Sequence, residues 1–223
     1  MKNTVSAWSF SAWETYDKCP LQYKLRYVDK IKTPQSDALV RGNQIHNEAA
    51  RFLQKERDDL PEALEHVRDV AVQIREYAPI VEQRWGFTKD WKPTTFFANN
   101  VWLRIILDAL VIYEDDTADL FDWKTGKKWP SGPLQMSLCA GATFARYRHL
   151  NHITTRLVYV DNDNPDENQV IDEFTAEKGA ELRKEWEEKA QPLFTDTVFA
   201  PRPNSMCKFC DFNKFNGGQC RFS

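Results

Sequence analysis

The clearest hydrophobic patterning lies between Leu103 and Lys124. Two runs rich in apolar, β-branched and aromatic residues flank the polar cluster Glu114-Asp115-Asp116-Thr117. Runs of this kind around a turn-forming cluster predict a β-hairpin. Opposite residues in an antiparallel pair have a constant sum of residue numbers, so a turn centred near Asp115 sets Asp108 roughly opposite Asp122. Like charges so placed repel and call for a cation. Lys124 shares a sheet face with Asp122 through the two-residue repeat, but one ammonium does not neutralise two carboxylates.

Elsewhere the period is mostly helical. Ser11-Ala-Trp-Glu14 has the form of a capping box, and the run from Thr15 to Tyr27 reads as two short helices meeting at Pro20. Ile45, Ala49, Phe52 and Leu53 keep helical spacing and predict a helix over 37–57. Gly42 and His46 stack on one side of it, so the missing side chain at Gly42 leaves room beside the imidazole. A third helix is expected from Pro61 to about Tyr77. Pro79 to Phe87 reads as a strand or entry segment holding Glu82, and Lys89 to Thr95 as a loop before a strand at 96–108. After the hairpin come a basic, turn-rich connection from Thr125 to Pro133, a helix over 134–150, strands over 153–160 and 170–174, and a strongly charged helix over about 176–191. This succession predicts one α/β domain in three stretches: an N-terminal helical segment over 1–36, a core over 37–200 and a cysteine-rich tail over 201–223.

Charge changes the picture only locally. A net charge of −3 across 223 residues excludes a globally basic nucleic-acid coat and leaves room for a basic groove. No apolar run is long enough to span a bilayer, and the start Met1-Lys-Asn-Thr4 lacks the apolar core of a secretion signal, so a cytoplasmic protein without membrane partners is expected. Five cysteines in a reducing compartment point to metal ligation before disulfides. Cys207-Lys-Phe-Cys210 is a C-x₂-C hook, with Cys220 following in a stretch made loop-like by Pro201, Pro203, Gly217 and Gly218. Three thiolates need a fourth, which leaves Cys19 and Cys139 to choose from. By spacing alone, four thiolates hold tetrahedral Zn²⁺ as well as an iron–sulfur cluster.

Asp108, Asp122 and Lys124 offer hard oxygen ligands and one cation, a set that suits Mg²⁺ or Mn²⁺. Phosphodiester hydrolysis uses all three: the carboxylates hold an ion that activates water, and the ammonium orients that water or meets charge developing at phosphorus. The plainer alternative is a surface salt bridge between Asp122 and Lys124. Glu82 is a further candidate carboxylate.

Read in order, these residues resemble the PD-(D/E)XK nuclease superfamily, and most closely its RecB-type branch, which includes the CRISPR-associated four-cysteine nucleases and many bacteriophage exonucleases. The resemblance rests on Cys19-Pro20-Leu-Gln-Tyr23, Gly42-Asn-Gln-Ile-His46, Asp108 at a strand end, Asp122-Trp-Lys124 with Thr125-Gly126, and Gln135 in Gln135-Met-Ser-Leu-Cys139. The family's last motif ends in tyrosine, and Cys139 departs from it. The resemblance implies a restriction-endonuclease-like core with a central mixed sheet flanked by helices. It implies His46, Asp108, Asp122 and the Trp123 backbone carbonyl as metal ligands, with His46 tilting the preference toward Mn²⁺. Lys124 would be the catalytic lysine and Gln135 a residue that contacts substrate or steadies the site. Cys19, Cys207, Cys210 and Cys220 would hold a structural 4Fe–4S cluster joining the tail to the N-terminal helices. The implied activity is a metal-dependent exonuclease acting on DNA ends or single strands in recombination, repair or phage DNA processing, alongside recombination or replication proteins. A catalytically weak DNA- or partner-binding module and a CRISPR adaptation trimming factor are the alternatives. Lys127, Lys128, Arg146, Arg148 and Arg156 are expected along a phosphate-binding channel.

Overall fold

The computed structural model describes residues 5–222, so the Met1–Thr4 start lies outside the described residues. The chain divides into two compact units, one made of residues 37–185 and the other of residues 1–36 with 186–223. The second break falls near residue 186, inside a helix.

The larger unit is an α/β fold with a six-stranded mixed sheet. Its strands are β1 (Ile80–Phe87), β2 (Pro93–Thr94), β3 (Leu103–Ile112), β4 (Thr117–Lys124), β5 (His152–Tyr159) and β6 (Gln169–Thr175), in the order β2-β1-β3-β4-β5-β6. Neighbours are antiparallel except β4 and β5. A parallel pair needs a crossover of a dozen or more residues, and the helix Ser131–Arg146 supplies it. The β3–β4 register pairs Ala109 with Phe121 and Leu110 with Leu120, the constant sum expected from a turn at Asp115. That turn is held by Asp115, whose carboxylate accepts from the Thr117 amide and hydroxyl.

Alternation along the strands sorts their side chains to two faces. Ala109, Val111, Phe121, Trp123 and Val158 form a core with Ile45, Phe52, Leu53, Ala71 and Ile74. The last five come from α3 (Asp37–Leu53) and α4 (Arg68–Glu76), numbered after the short helices α1 (Phe10–Lys18) and α2 (Pro20–Tyr23). The crossover helix, α5, packs on β4, β5 and β6. Its small residues admit the next helix, α6 (Ala176–Thr195), very closely: a Cβ at Gly179 would fall 2.3 Å from the Phe144 ring. No helix among the described residues is long and apolar enough to cross a membrane.

In the smaller unit, α1 is capped by Ser9, whose hydroxyl accepts from the Ala12 amide, and not by Ser11, which lies inside the helix. Trp8, Phe10, Trp13 and Trp186 pack ring against ring as its core. Tyr23 stacks on Phe199, which brings the two chain ends together.

Three expected elements shift. Residues 96–102 form turns around Asn99-Asn100 and not the start of β3, which begins at Leu103. Helix α3 stops at Leu53, with Lys55 beyond it in the left-handed region. Helix α5 starts at Ser131 and tolerates Pro133 because the first turn needs no amide donor there.

Candidate active site

Three acids stand in a row across three adjacent strands. The β1–β3 ladder pairs Val81 with Ala109 and Gln83 with Leu107, which sets Glu82 opposite Asp108. Continuing the β3–β4 register by one step sets Asp122 on the other side of Asp108. Beyond the Ala109–Phe121 pair the β3–β4 ladder ends, and the Asp108 carboxylate takes over: its Oδ2 accepts from the Trp123 amide at 2.8 Å. Glu82 has φ 51°, a left-handed conformation that glutamate adopts at a cost of order 1 kcal/mol or more. The strain sits at the residue that completes the acid row.

His46 arrives from α3 and places Nδ1 3.1 Å from Asp108 Oδ2. Ligand atoms of His46, Glu82 and Asp108 all lie within 4.8 Å of one another, the one such trio among the described residues. The sequence left Glu82 unresolved, and the fold brings it in. Gly42 does not serve the imidazole: a Cβ there would meet Thr125 Oγ1 at an ordinary 3.8 Å.

Asp122 and Lys124 are held by Gln135 in the first turns of α5. Gln135 Nε2 donates to Asp122 Oδ1 at 2.8 Å, and Lys124 Nζ donates to Gln135 Oε1 at 2.8 Å. Each end of the amide meets a partner it can serve, and the flipped amide would set donor against donor and acceptor against acceptor. Lys124 Nζ also lies 2.6 Å from Asp122 Oδ2, so that oxygen faces the ammonium directly.

The titration directions agree with a deficit of positive charge. Burial raises the Glu82 carboxyl, and the charge of Asp108 adds to it. Burial also raises Asp122, aided by Asp108 and opposed by Lys124. A simple salt bridge would lower the acid, so burial dominates at this residue. Burial alone would lower Lys124, but Asp122 outweighs it and holds the ammonium charged. His46 follows the same logic: burial opposes the proton, while the hydrogen bond and charge of Asp108, with Asp122 and Glu82, push it up to about 9. All four groups are driven toward their protonated forms.

Around this centre the remaining residues separate. Tyr159 on β5 is the strand partner of Lys124, and Lys128 Nζ lies 5.6 Å from its ring centre. Lys127 and Lys128 therefore belong to the connection that leaves the site. Arg146 ends α5, about 16 Å of helix from Gln135, and covers the Trp85 ring, with Arg148 just beyond. Arg156 is paired with Asp119 at 3.1 Å. Cys139 lies buried one turn after Gln135, its thiol pushed up by burial and by the charge of Asp122. Sequence reasoning missed Asp161, just past β5. It accepts from Arg41 on α3 and from the Gly126 amide at 2.7 Å, and so ties down the turn after Lys124. An acid just past a strand was the available signal.

In the smaller unit, Cys19, Cys207, Cys210 and Cys220 all line one cavity of about 180 Å³. Cys19 Sγ accepts from the Arg202 amide and Cys207 Sγ from the Asn204 amide. Burial raises the Cys210 thiol, with smaller contributions from Asp211, Cys220 and Cys19. No three of these sulfurs lie within 4.8 Å of one another, so the cysteines face a common space without forming a tight cluster.

An acid inside β3, not at the strand end expected from the sequence, thus stands beside an Asp-x-Lys pair closing β4 and a helix-borne glutamine. The family model of the PD-(D/E)XK nuclease superfamily matches residues 7–215, and the chain belongs to that superfamily. No curated protein matches. Among solved structures, the crystal structure of SSO0001 aligns over 93% of this chain and 84% of that one, with 13% identity and a TM-score of 0.43. The crystal structure of LHK-Exo in complex with dAMP aligns over 84% of this chain and 88% of that one, with 13% identity and a TM-score of 0.43.

Proposed function

We propose that this nuclease is a metal-dependent exonuclease that hydrolyses phosphodiester bonds at DNA ends, serving recombination, repair or phage DNA processing. The carrying observation is the row Glu82–Asp108–Asp122 with Lys124 and Gln135 locked to its last member. A single catalytic set suits removal of nucleotides from an end.

His46, Glu82 and Asp108 would hold the divalent ion. Asp122 and the Trp123 carbonyl would be the further ligands, since the Trp123 amide points at Asp108 and a strand residue aims its carbonyl to the same side. When bound, Mg²⁺ or Mn²⁺ supplies charge for a phosphate oxygen and acidifies water. Lys124, kept charged by Asp122, orients the attacking water or stabilises charge developing at phosphorus. Gln135 fixes the lysine head and the carboxylate in one plane of reach. Lys127 and Lys128 stand next in the chain to take a neighbouring phosphate, and Arg146 and Arg148 would meet DNA only farther along α5.

The four cavity cysteines would hold a 4Fe–4S cluster of structural role. Zinc would draw thiolates to about 3.8 Å of one another, given Zn–S bonds near 2.3 Å. Sulfurs spread around a 180 Å³ space suit a larger cluster better. Anaerobically purified protein should be coloured and carry about four irons per chain; a colourless, zinc-loaded sample would replace the cluster with zinc. Cys19→Ser should lower thermal stability in either case.

The function is tested by degradation of linear DNA labelled at each end in turn, single- and double-stranded, with Mn²⁺, Mg²⁺ or EDTA. Asp122→Ala and Lys124→Ala should be inactive. Cleavage in EDTA, full activity in both variants, or cutting of closed circles at the same rate would remove the proposal.

A further inference from the structure

Three times within a short span the tail sets a cation directly before a phenylalanine: Lys208-Phe209, Lys214-Phe215 and Arg221-Phe222. Each cation lies over its own ring, at 4.8, 5.6 and 5.5 Å from the centroid. The rings are 67%, 77% and 38% exposed. One exposed aromatic is ordinary, but three repeated with the same basic neighbour make a surface. Phe209 and Phe222 also line the cysteine cavity and so help to cover it. Phe215 does not line it, and covering leaves its exposure unexplained.

Charge separates along the same division. The whole chain is net −3, yet residues 201–223 carry Arg202, Lys208, Lys214 and Arg221 against Asp211 alone. Residues 1–36, in the same compact unit, carry six basic residues against three acidic ones. The excess of acid therefore lies in the rest of the chain. Exposed rings beside cations on a locally positive unit match the two surfaces of a single strand: bases offer free π-faces and the backbone offers phosphates. A duplex keeps its bases stacked and offers the rings nothing.

We propose that the three pairs form a docking platform for single-stranded DNA, separate from the active site, in which Phe209, Phe215 and Phe222 stack on bases and Lys208, Lys214 and Arg221 contact the flanking phosphates. The proposal rests on the nuclease reading for its ligand.

The test uses the full chain carrying Lys124→Ala to prevent cleavage, and measures anisotropy of fluorescein-labelled oligo(dT) over a range of salt. Adding Phe215→Leu keeps apolar bulk and removes the π-face, and should weaken binding about fivefold or more. Lys214→Ala should reduce the slope of log affinity against log salt by about 0.7. On an abasic strand of equal length the Phe215→Leu loss should vanish. Phe215→Trp should retain affinity and show tryptophan quenching on binding, which guards against a leucine variant that merely misfolds. Unchanged oligo(dT) affinity in Phe215→Leu, an equal loss on the abasic strand, or self-association that disappears with Phe215 while DNA binding stays constant would overturn the platform. If the unmodified protein still degrades DNA in those cases, only the platform fails. If it neither binds nor cleaves DNA, the nuclease reading fails with it.

Discussion

Replacing Gln135 with leucine removes two hydrogen bonds and no metal ligand. The amide accepts from the Lys124 ammonium and donates to the buried Asp122 carboxylate, both at 2.8 Å. Hydrogen bonds to charged partners contribute ~1.5–3 kcal/mol each. The half-buried position lets water return part of that sum, so a net loss of ~2–3 kcal/mol in holding the two groups is expected. If the loss falls on the transition state, kcat should drop about 100-fold. KM should change far less, since Gln135 itself holds neither metal nor strand. The assay is steady-state hydrolysis of a short single-stranded oligonucleotide under saturating Mn²⁺, with separate fits of kcat and KM. Gln135→Glu is the companion variant: its carboxylate still accepts from Lys124 but opposes Asp122, so it should be at least as slow near neutral pH and recover partly as pH falls and the pair shares a proton. A Gln135→Leu enzyme with kcat within about threefold of the parent, or one whose defect lies wholly in KM, would refute the positioning role.

Three further outcomes follow from the same geometry. His46 is held protonated up to about 9 in the metal-free protein, above its ordinary 6.5, and a metal must displace that proton. Mn²⁺ affinity measured by calorimetry should therefore rise with pH until about 9. The stability that the His46–Asp108 pair gives the metal-free protein should be complete below 6.5 and lost as pH climbs through 9, and a flat profile of affinity with pH contradicts the pairing. Glu82→Asn replaces a strained acid with a neutral residue that tolerates left-handed φ. It should raise the metal-free Tm and shrink the Tm gain on adding Mn²⁺, and an undiminished metal-induced gain would exclude Glu82 as a ligand. Gly42→Ala should be tolerated with no loss of Tm, because the added methyl meets Thr125 at 3.8 Å in a helix that prefers alanine; a marked loss would mean that α3 packs more tightly there.

The hairpin was legible because its turn residues set the register, and the register set Asp108 against Asp122. Lys124 followed from the two-residue repeat, and Cys19 was matched to the tail cysteines because motif order survives any folding of the chain between them. Glu82 could not be settled in the same way. Its place opposite Asp108 depends on a pairing between strands separated by the segment 88–102, and its positive φ leaves no trace in residue type. The bracing role of Asp161 was hidden for the same reason, since Arg41 and Gly126 reach it only through the fold. Arg156 carries visible charge in the sequence, whereas the Asp119 that pairs with it is set opposite only by the fold. Ser9 and not Ser11 caps the first helix, its hydroxyl accepting from the Ala12 amide.

The central claim is that the acid row across β1, β3 and β4 is a divalent-ion site that drives phosphodiester hydrolysis. The most direct measurement is the initial rate of nucleotide release from end-labelled linear DNA as Mn²⁺ is titrated into metal-free protein, with Asp108→Asn run beside it. The predicted result is a saturable, Mn²⁺-dependent rate in the parent, abolished by EDTA and absent in Asp108→Asn at every concentration. A rate that is independent of Mn²⁺, or an Asp108→Asn protein that reaches the parent's plateau, would contradict it.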